Sequence, residues 1–212
     1  MDKIVTYILG AGGHAKVILE SLKQDPTITL AGFLEVSSQL VGSQLLNFPI
    51  YHENIISKLH PKKTLLVNGI GSVGVSLVRA KQFDRYKNLG FCFHTLKHLT
   101  SYVANEVAIG EGAQFMARST VMIGSKIGDN VIVNTAAIVD HDCDIGKHVH
   151  IAPGAVLSGN VTVGDYTHIG TGANIIQGIE IGKNVLIAAG AVVVTDIPDN
   201  MRVAGVPAKK ME

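Results

Sequence analysis

Residue types that could carry out chemistry are concentrated between Val139 and Gly154, in the stretch VDHDCDIGKHVHIAPG. The stretch holds three histidines and three aspartates, together with branched aliphatic residues and two glycines. Such side chains can bind a metal ion, move a proton, or line the solvated surface of a structural repeat. The elements that position these side chains distinguish the three interpretations.

The first of these histidines, His141, lies between Asp140 and Asp142. An imidazole titrates near neutral pH, and a neighbouring carboxylate raises its basicity and orients the ring. This arrangement suits a general base that removes the proton of an amine or hydroxyl as it attacks a thioester. An exposed surface imidazole without a catalytic task is the alternative that these residues leave open.

A six-residue repeat governs the second half of the chain. Every sixth residue from Val103 onward is bulky and apolar, and no insertion breaks the register. The sixteen positions are Val103, Ile109, Phe115, Val121, Ile127, Val133, Val139, Ile145, Ile151, Leu157, Val163, Ile169, Ile175, Ile181, Ile187 and Val193. A period of six fits neither an amphipathic helix nor a simply alternating strand. It predicts short flat strands joined by corners, in which each hexad turns one branched side chain inward and three hexads complete a coil.

The residue after the aliphatic position is often small. Glycine occupies it six times, at Gly110, Gly128, Gly146, Gly164, Gly170 and Gly182. We expect these glycines to let the chain turn a tight corner. The pattern I-G-x-x-V/A-x resembles the hexapeptide-repeat acyltransferase superfamily, whose fold is a left-handed parallel β-helix with eighteen residues per coil.

The first half is typical of a small α/β unit. KIVTYILGAGGHAKVILESLKQ predicts a buried strand, a glycine turn and a helix that begins near His14. TLAGFLE, KTLLVNGIG and FCFHTL predict further strands, NIISKLH a short helix, and SVGVSLVRAKQFDRYKNLG a longer helix. Alternating strands and helices imply a short parallel sheet, a Rossmann-like half, with ligands at the carboxyl ends of its strands. We expect this α/β domain over residues 1–98 and the β-helix over residues 99–212.

The glycine turn GAGGHA has several interpretations. Gly10, Gly12 and Ala15 satisfy G-x-G-x-x-G/A, and Glu35 follows about twenty residues later, as in a dinucleotide fingerprint. The segment before the repeats, however, is about half as long as a full dinucleotide-binding domain. A helix N-terminus binds the phosphates of any nucleotide diphosphate. NAD and a plain structural turn therefore stay as alternatives, and a nucleotide sugar is favoured.

Composition excludes several classes of function. The 212-residue chain is 47 % hydrophobic and 17 % charged, with a formal net charge of +1 at pH 7 and no basic block, so nucleic acid is not expected as a partner. No apolar run has the length of a membrane span, and the chain does not start like a signal peptide. Cys92 and Cys143 are far apart, as is typical of unpaired thiols in a reducing compartment. We expect a cytoplasmic protein.

An eighteen-residue coil would convert sequence spacing into stacking. His150 and His168 are eighteen residues apart and should lie one above the other on adjacent coils. The residue eighteen after His141 is Gly159, which has no side chain. We expect this vacant position to leave a groove in which a slim ligand arm can run along the wall.

Zinc is the alternative to acid–base chemistry in the polar stretch. Hexapeptide-repeat carbonic anhydrases, which the chain resembles in fold, hold their metal with two histidines two coils apart and a third a few residues later. Here the position two coils after His141 is Gln177, and no histidine follows close behind it. The spacing therefore predicts no metal site.

Three segments carry a closer resemblance: GAGGHAK, IVNTAAIVDHDCDIGKHVHIAPGAVLSGNVTVG and VAGVPAKKM. Together they resemble the bacterial sugar O-acyltransferase family. This family joins sialic acid O-acetyltransferase-like proteins with N-acetyltransferases of UDP- and GDP-linked 4-amino sugars, of the bacillosamine and perosamine type. The resemblance implies an acetyl-CoA-dependent enzyme that forms a homotrimer with its sites at subunit boundaries and needs no metal.

The resemblance also implies the roles of particular residues. His141 would be the general base, Asp142 the acidic residue that raises its basicity, and Asn134 a polar active-site residue. His150 matches the histidine near the thioester carbonyl. The wall along the pantetheine arm is implied at Gly159, Thr171 and Ala189, which as residues twelve or eighteen apart should line one groove. Lys209 and Lys210 would meet the phosphates of coenzyme A, with a solvated tail as the alternative.

The nucleotide-sugar site is implied in the α/β domain, at Gly12, Gly13, His14, Glu35 and Gly69. Relatives often have aspartate at the Glu35 position, so the choice between UDP and GDP stays open. The hypothesis is direct acetyl transfer to the amine of a nucleotide-linked 4-amino-4,6-dideoxy sugar, for bacterial surface glycan synthesis. The alternatives are O-acetylation of sialic acid or a related nonulosonate, and a non-catalytic protein that binds nucleotide sugars.

Overall fold

The computed structural model describes residues 4–75 and 77–211 and has the two parts that the sequence predicts. An α/β domain with a largely parallel sheet comes first, and a left-handed parallel β-helix follows it. The predicted fold class is confirmed. Within these residues, no helix has the length and apolar character needed to cross a bilayer.

The α/β domain is a six-stranded sheet with helices on both faces. Its strands are β1 (Val5–Leu9), β2 (Leu30–Glu35), β3 (Gln44–Leu45), β4 (Phe48–His52), β5 (Thr64–Asn68) and β6 (Cys92–Phe93). Its helices are α1 (Gly13–Leu22), α2 (Val78–Asn88) and the 3₁₀ helices Glu53–Lys58 and Pro61–Lys63. The strand order is β3-β4-β2-β1-β5-β6, in which only β3 and β4 are antiparallel. The carboxyl ends of β2, β1 and β5 therefore lie side by side.

Two details of this domain differ from the sequence expectation. The β3–β4 hairpin was not predicted, because its turn has Leu46 and Asn47 at φ 49° and 71° without the usual Asn-Gly signal. Helix α2 begins at Val78, later than the segment starting at Ser72 suggested. Gly74 adopts φ 67°, which is incompatible with a right-handed helix.

The β-helix consists of three sheets of short strands, which we call sheets I, II and III. Sheet I contains Leu96–Lys97, Gln114–Phe115, Ile132–Val133, His150–Ile151, His168–Ile169, Leu186–Ile187, Arg202–Ala204 and Lys209–Lys210. Sheet II contains Tyr102–Val103, Thr120–Val121, Ile138–Val139, Val156–Leu157, Asn174–Ile175 and Val192–Val193. Sheet III contains Ala108–Ile109, Lys126–Ile127, Asp144–Ile145, Thr162–Val163 and Glu180–Ile181.

The coil length is eighteen residues, as the repeat implies. In sheet I, for example, Gln114 pairs with Ile132, which pairs with His150. Fourteen of the sixteen hexad residues are buried in one continuous core, and the first two pack against it. Each buried branched side chain contributes roughly 1.5–3 kcal/mol. Most hexads also bury a smaller residue two positions earlier, such as Ala137 or Cys143, so the expectation of one inward residue per hexad was incomplete.

The corners fall three residues after each inward aliphatic residue from Ile109 to Ile187. The corner residues adopt left-handed φ values between 55° and 78°. They are Gly112, Arg118, Gly124, Asn130, Ala136, Asp142, His148, Gly154, Asn160, Tyr166, Gly172, Gly178, Asn184 and Gly190. Eight of these fourteen residues are not glycine, so backbone hydrogen bonds between coils must hold them in a conformation that costs about 1–2 kcal/mol each.

The glycines that follow the aliphatic residues do not turn the corners, and that prediction was wrong. They lie where one coil passes closest to the next. A Cβ on Gly128 would lie 2.8 Å from the backbone carbon of Gly146, and one on Gly164 would lie 2.6 Å from that of Gly182. Only a hydrogen atom fits between the coils at these positions.

The outer faces of the three sheets differ in what covers them. Sheet I carries the α/β domain, since Leu96 and Ile132 pack in one cluster with Ile18 and Leu19 of α1. Sheet III points charged side chains outward, including the Lys126–Asp144 ion pair.

The outer face of sheet II is largely apolar, apart from Thr120 and Asn174, and is uncovered in the single chain. Tyr102 and Ile138 are 56 % and 38 % exposed on it, and Ile123, Ile176 and Val194 are exposed along the corner that joins sheet II to sheet III. A patch of exposed apolar residues of this kind indicates an interaction surface.

Replacing Gly164 with alanine should lower the free energy of unfolding by roughly 1–3 kcal/mol, because the new Cβ forces two coils apart. Chemical denaturation measures the change. Arg118→Gly is the matched control: it sits at a corner with φ 60° and is exposed, so glycine should not destabilise the chain. Equal stability of the Gly164→Ala variant and the parent would contradict the close-approach explanation.

Candidate active site

A cleft of about 620 Å³ lies at the carboxyl edge of the α/β sheet. Its walls come from the segments that follow β1, β2 and β5 and from one side of α2. All five residues that the family resemblance implies for substrate binding line it: Gly12, Gly13, His14, Glu35 and Gly69. They meet because parallel strands end at the same edge of a sheet.

The glycine turn leaves the start of α1 open. No atom lies within 4 Å of a Cβ built on Gly12 or Gly13. The first backbone N–H groups of a helix lack partners within the helix and, with the helix dipole, favour an anion. Gly69 has another task, since its Cβ would lie 2.5 Å from the Ile8 side chain and 2.7 Å from the Leu9 carbonyl oxygen. The open end of α1 suits a diphosphate, and Gly69 permits the packing beneath it.

Glu35 holds the floor of the cleft together. One carboxylate oxygen accepts a hydrogen bond from the backbone N–H of Ala11 at 2.9 Å. The other accepts from the N–H groups of Val36 and Ser37 at 2.8 and 3.1 Å. The carboxylate therefore ties the end of β2 to the glycine turn.

One wall of the cleft was missed by the sequence analysis. Val78, Gln82 and Tyr86 of α2 line it, and the Tyr86 hydroxyl donates to Glu53 at 2.9 Å. Residues four apart share one face of a helix, so the spacing of these three was a signal. Their spacing alone does not indicate that this face of α2, rather than the opposite one, lines the cleft.

His141 and Asp142 form a hydrogen-bonded pair at the corner between sheets II and III. The His141 Nδ1 and Asp142 Oδ2 atoms are 2.8 Å apart, and both side chains are about half exposed. This hydrogen bond raises the pKa of His141 above its ordinary value; desolvation opposes the rise, and the charges of Asp140 and Asp142 add to it. With Nδ1–H donating to the carboxylate, Nε2 is the acceptor for an incoming proton.

Glycines on both neighbouring coils accommodate the pair. A Cβ on Gly159 would lie 2.5 Å from the His141 Nε2 atom, and one on Gly124 would overlap the Asp142 carboxylate. The expected vacancy at Gly159 is therefore filled by the His141 ring itself, and the idea of an open groove there was wrong. Gly124, eighteen residues before Asp142, was not predicted.

His150 lies elsewhere, on the outer face of sheet I beneath the α/β domain. Its Nε2 is 3.0 Å from Asn134 Nδ2, and its Nδ1 is 2.8 Å from the Ser72 hydroxyl. The ring packs edge-on against His168, one coil away, with centroids 4.8 Å apart, as their spacing predicted. Burial, then the nearby cationic and imidazole groups, lowers the pKa of His150 to about 3, so the ring is neutral.

A buried polar network joins the cleft to the β-helix. His14 Nε2 lies 2.8 Å from Gln114 Oε1, and Gln114 donates to the Asn68 carbonyl at 2.8 Å. The buried Arg79 donates to the carbonyl oxygens of Asn68 and Ile70. Desolvation, followed by the charge of Arg79, lowers the pKa of His14 to about 4.

The residues implied for coenzyme A do not share one groove in a single chain. Thr171 and Ala189 are exposed and stack at the corner between sheets I and II, whereas Gly159 lies at the corner between sheets II and III. A spacing of eighteen keeps a residue at the same corner, but a spacing of twelve moves it to another one, so a single chain does not bring the three residues into one groove. Lys209 and Lys210 are exposed on the last strand of sheet I.

The proposed base and the cleft are likewise separated within one chain. The α/β domain covers sheet I, and His141 lies at the corner where the other two sheets meet. Asn134 starts the corner between sheets I and II, a full sheet away from His141. Within the described residues, no group of three or more histidine, cysteine or acidic side chains is arranged to hold a metal ion.

Two family profiles match the chain: the PglD N-terminal domain over residues 6–86 and the bacterial transferase hexapeptide over residues 124–159. The acetyltransferase domain of PglB from Neisseria gonorrhoeae, solved with acetyl coenzyme A, is 38 % identical, with a TM-score of 0.89 over 99 % of this chain and 100 % of that one. The chain belongs to the hexapeptide-repeat sugar acetyltransferases. It is therefore an acetyltransferase that uses acetyl-CoA.

Two further solved structures are similar over nearly the whole chain. Perosamine N-acetyltransferase from Caulobacter crescentus, a variant in complex with CoA and GDP-perosamine, is 34 % identical with a TM-score of 0.90, covering 98 % of this chain and 97 % of that one. WeeI from Acinetobacter baumannii is 28 % identical with a TM-score of 0.89, covering 98 % and 99 %. The comparison with curated proteins gives no match.

Replacing Asp142 with asparagine should move the acidic limb of the kcat/KM profile to lower pH. The carboxylate raises the pKa of His141, so without it the ring loses its proton at a lower pH. The maximal rate should fall roughly ten- to a hundredfold, because the base is weaker and less well oriented. Asp144→Asn, on the outer face of sheet III, is the control and should leave the limb in place. If the acidic limb of the kcat/KM profile does not shift in Asp142→Asn, then Asp142 does not raise the pKa of a catalytic His141.

Proposed function

We propose that the protein transfers the acetyl group of acetyl-CoA to the amine of a nucleotide-linked 4-amino-4,6-dideoxy sugar. The observation that carries this proposal is the joint presence of a cleft of about 620 Å³ at a glycine turn and a histidine–aspartate pair on a hexapeptide β-helix. The relative from Caulobacter crescentus that was solved with CoA and GDP-perosamine supports it. Such products are building blocks of bacterial surface glycans, made in the cytoplasm where acetyl-CoA is available.

The reaction needs one proton to be removed. The sugar amine attacks the thioester carbonyl while His141 Nε2 accepts a proton from the nitrogen, and Asp142 stabilises the imidazolium that forms. The tetrahedral oxyanion then collapses, and the thiolate of coenzyme A leaves. Both ring nitrogens of His150 already have partners, which favours a backbone N–H group as the oxyanion donor. Cys143 is buried, and burial raises the pKa of its thiol, so a covalent cysteine intermediate has no support.

Three copies of the chain complete this site. Triangular columns that turn their apolar sheet II faces toward a threefold axis meet their neighbours corner to corner. The corner with Thr171 and Ala189 then faces the corner of the next copy, which carries His141 and Gly159. Coenzyme A would lie between these two corners. Of the two lysines implied for its phosphates, Lys209 lies nearer the corner between sheets I and II, because it pairs with Ala204 at the end of its strand.

The same arrangement brings the cleft to the base. The α/β domain sits on sheet I, next to the corner that meets the neighbouring copy. The nucleotide sugar bound at Gly12, Gly13 and His14 therefore extends toward His141 of the partner, not of its own chain. This explains why one chain holds both halves of a site but does not join them.

A panel of acceptors tests the reaction. UDP- and GDP-linked 4-amino sugars and free sialic acid are offered with acetyl-CoA, and thiol release is measured. Acetylation of an amino sugar is the expected result, and His141→Ala should reduce its turnover by about a hundredfold or more while acetyl-CoA binding persists.

Other outcomes would overturn parts of the proposal. Acetylation of sialic acid alone would replace the amine acceptor with a hydroxyl, and absence of thiol release with every acceptor would favour a non-catalytic binding protein. Near-normal turnover of the His141→Ala variant would remove His141 from the mechanism. His60→Ala, an exposed histidine of the α/β domain, is the matched control and should be fully active.

A further inference from the structure

We propose that Ser72 binds the sugar ring of the nucleotide sugar, and that Asn134 and His150 orient its hydroxyl as a donor for this purpose. The inference rests on the proposed function. It concerns a residue that sequence analysis did not single out, on the segment between β5 and α2.

The orientation of the Asn134 amide is fixed by the backbone. The Thr135 N–H donates to Asn134 Oδ1 at 2.8 Å. An N–H group needs an acceptor, so this atom must be the amide oxygen and the other must be the amino group. Asn134 Nδ2 therefore points at His150 Nε2, 3.0 Å away, and donates to it.

The amide in turn fixes the tautomer of His150. A ring nitrogen that accepts a hydrogen bond carries no proton, and a neutral imidazole then carries its proton on the other nitrogen. The ring is 8 % exposed and, with its pKa lowered to about 3, neutral at physiological pH. His150 Nδ1–H therefore donates to the Ser72 oxygen, 2.8 Å away.

The Ser72 hydroxyl is thereby left with its own proton to donate. Among the described residues, His150 is its one hydrogen-bond partner, and this partner occupies a lone pair of the oxygen. The direction of the chain is opposite to that of a catalytic serine, whose histidine accepts the hydroxyl proton. The Ser72 hydroxyl is thus a hydrogen-bond donor available to an acceptor oxygen, and it is not a nucleophile.

The position of Ser72 identifies the acceptor. Gly71, its neighbour, lines the cleft, and a Cβ there would lie 3.1 Å from the His14 Cβ. The diphosphate site at Gly12 and Gly13 lies on one side of His14, and Ser72 lies on the side that contacts the β-helix. The part of a nucleotide sugar beyond its diphosphate is the hexose, so a hexose oxygen is the group that Ser72 meets.

The Ser72→Ala variant tests the contact by binding and kinetics. Loss of one hydrogen bond to an uncharged oxygen should raise the KM and the Kd for the nucleotide sugar about three- to tenfold. UDP or GDP without the sugar should bind as tightly as before, and the KM for acetyl-CoA should not change. Ser57→Ala, on an exposed 3₁₀ helix of the same domain, is the matched control.

The Asn134→Asp variant tests the orientation. A carboxylate accepts where the amide donated, so His150 should carry its proton on Nε2 at pH 8, and its Nδ1 should then accept from Ser72. The Ser72 hydroxyl would then donate its proton to His150 and no longer to the sugar. The Kd for the nucleotide sugar should rise as in Ser72→Ala, and the double variant should be no worse than either single one. The ¹⁵N shifts of the His150 ring should report Nδ1–H in the parent and Nε2–H in Asn134→Asp.

Several results would overturn the inference. These are an unchanged Kd for the nucleotide sugar in Ser72→Ala, an equal loss of affinity for the bare nucleotide, additive effects in the double variant, or an Nε2–H tautomer in the parent. Failure of the proposed function looks different, because the parent protein would then neither bind nor acetylate any nucleotide amino sugar. An altered circular dichroism spectrum of Ser72→Ala would assign the residue a structural role and also reject the inference.

Discussion

The closure of each coil in eighteen residues is the constraint on which the rest of the structure depends. Backbone hydrogen bonds join each coil to the next at equivalent positions, so every residue has a fixed corner or face. The left-handed corner residues accept a conformational cost because these bonds and the aliphatic core hold them. Asp142 is one of them, and its corner conformation is what points its carboxylate at His141.

The same constraint explains the separation of the functional residues. His141 and the α/β domain are far apart in one chain. His141 lies at the corner between sheets II and III, and the domain covers sheet I, the face opposite to that corner. Residues twelve apart are also sent to different corners, as Gly159 and Thr171 demonstrate. The exposed face of sheet II connects the two corners, and in the proposed trimer further copies would cover this face and join the separated halves of the site.

The junction between the two parts of the chain is polar as well as apolar. Among the described residues, the buried Arg79 has no carboxylate partner; its guanidinium donates to two carbonyl oxygens at the end of β5, and its Nε atom has no hydrogen-bond partner. His14 and His150, with strongly lowered pKa values, lie on the same junction. The neutral imidazole of His150 has a partner at each ring nitrogen and holds a fixed geometry, because rotation would leave its buried donor without a partner.

Much of this could be predicted from the sequence, for a physical reason. The inward residue of each hexad has no alternative environment, so the sixteen aliphatic positions specified the coil and its stacking. The roles of the glycines could not be predicted from their identity alone. Glycine is required at positions 128, 159 and 124 because a Cβ there would clash with atoms of a neighbouring coil. Only the three-dimensional contacts show which atoms these are. Ser72 was missed because its chemistry depends on Asn134 and His150, which are distant in sequence and become its neighbours when the domain packs on sheet I.

The measurement that tests the central claim most directly mixes two inactive proteins. His141→Ala lacks the base, and Gly12→Val obstructs the open end of α1 where the nucleotide sugar binds. If each site combines the cleft of one copy with His141 of the next, co-assembly of equal amounts should restore roughly a quarter of the parental activity, since half of the clefts and half of the bases are intact. No recovery in mixtures that have demonstrably exchanged subunits would contradict a site built from two copies of the chain.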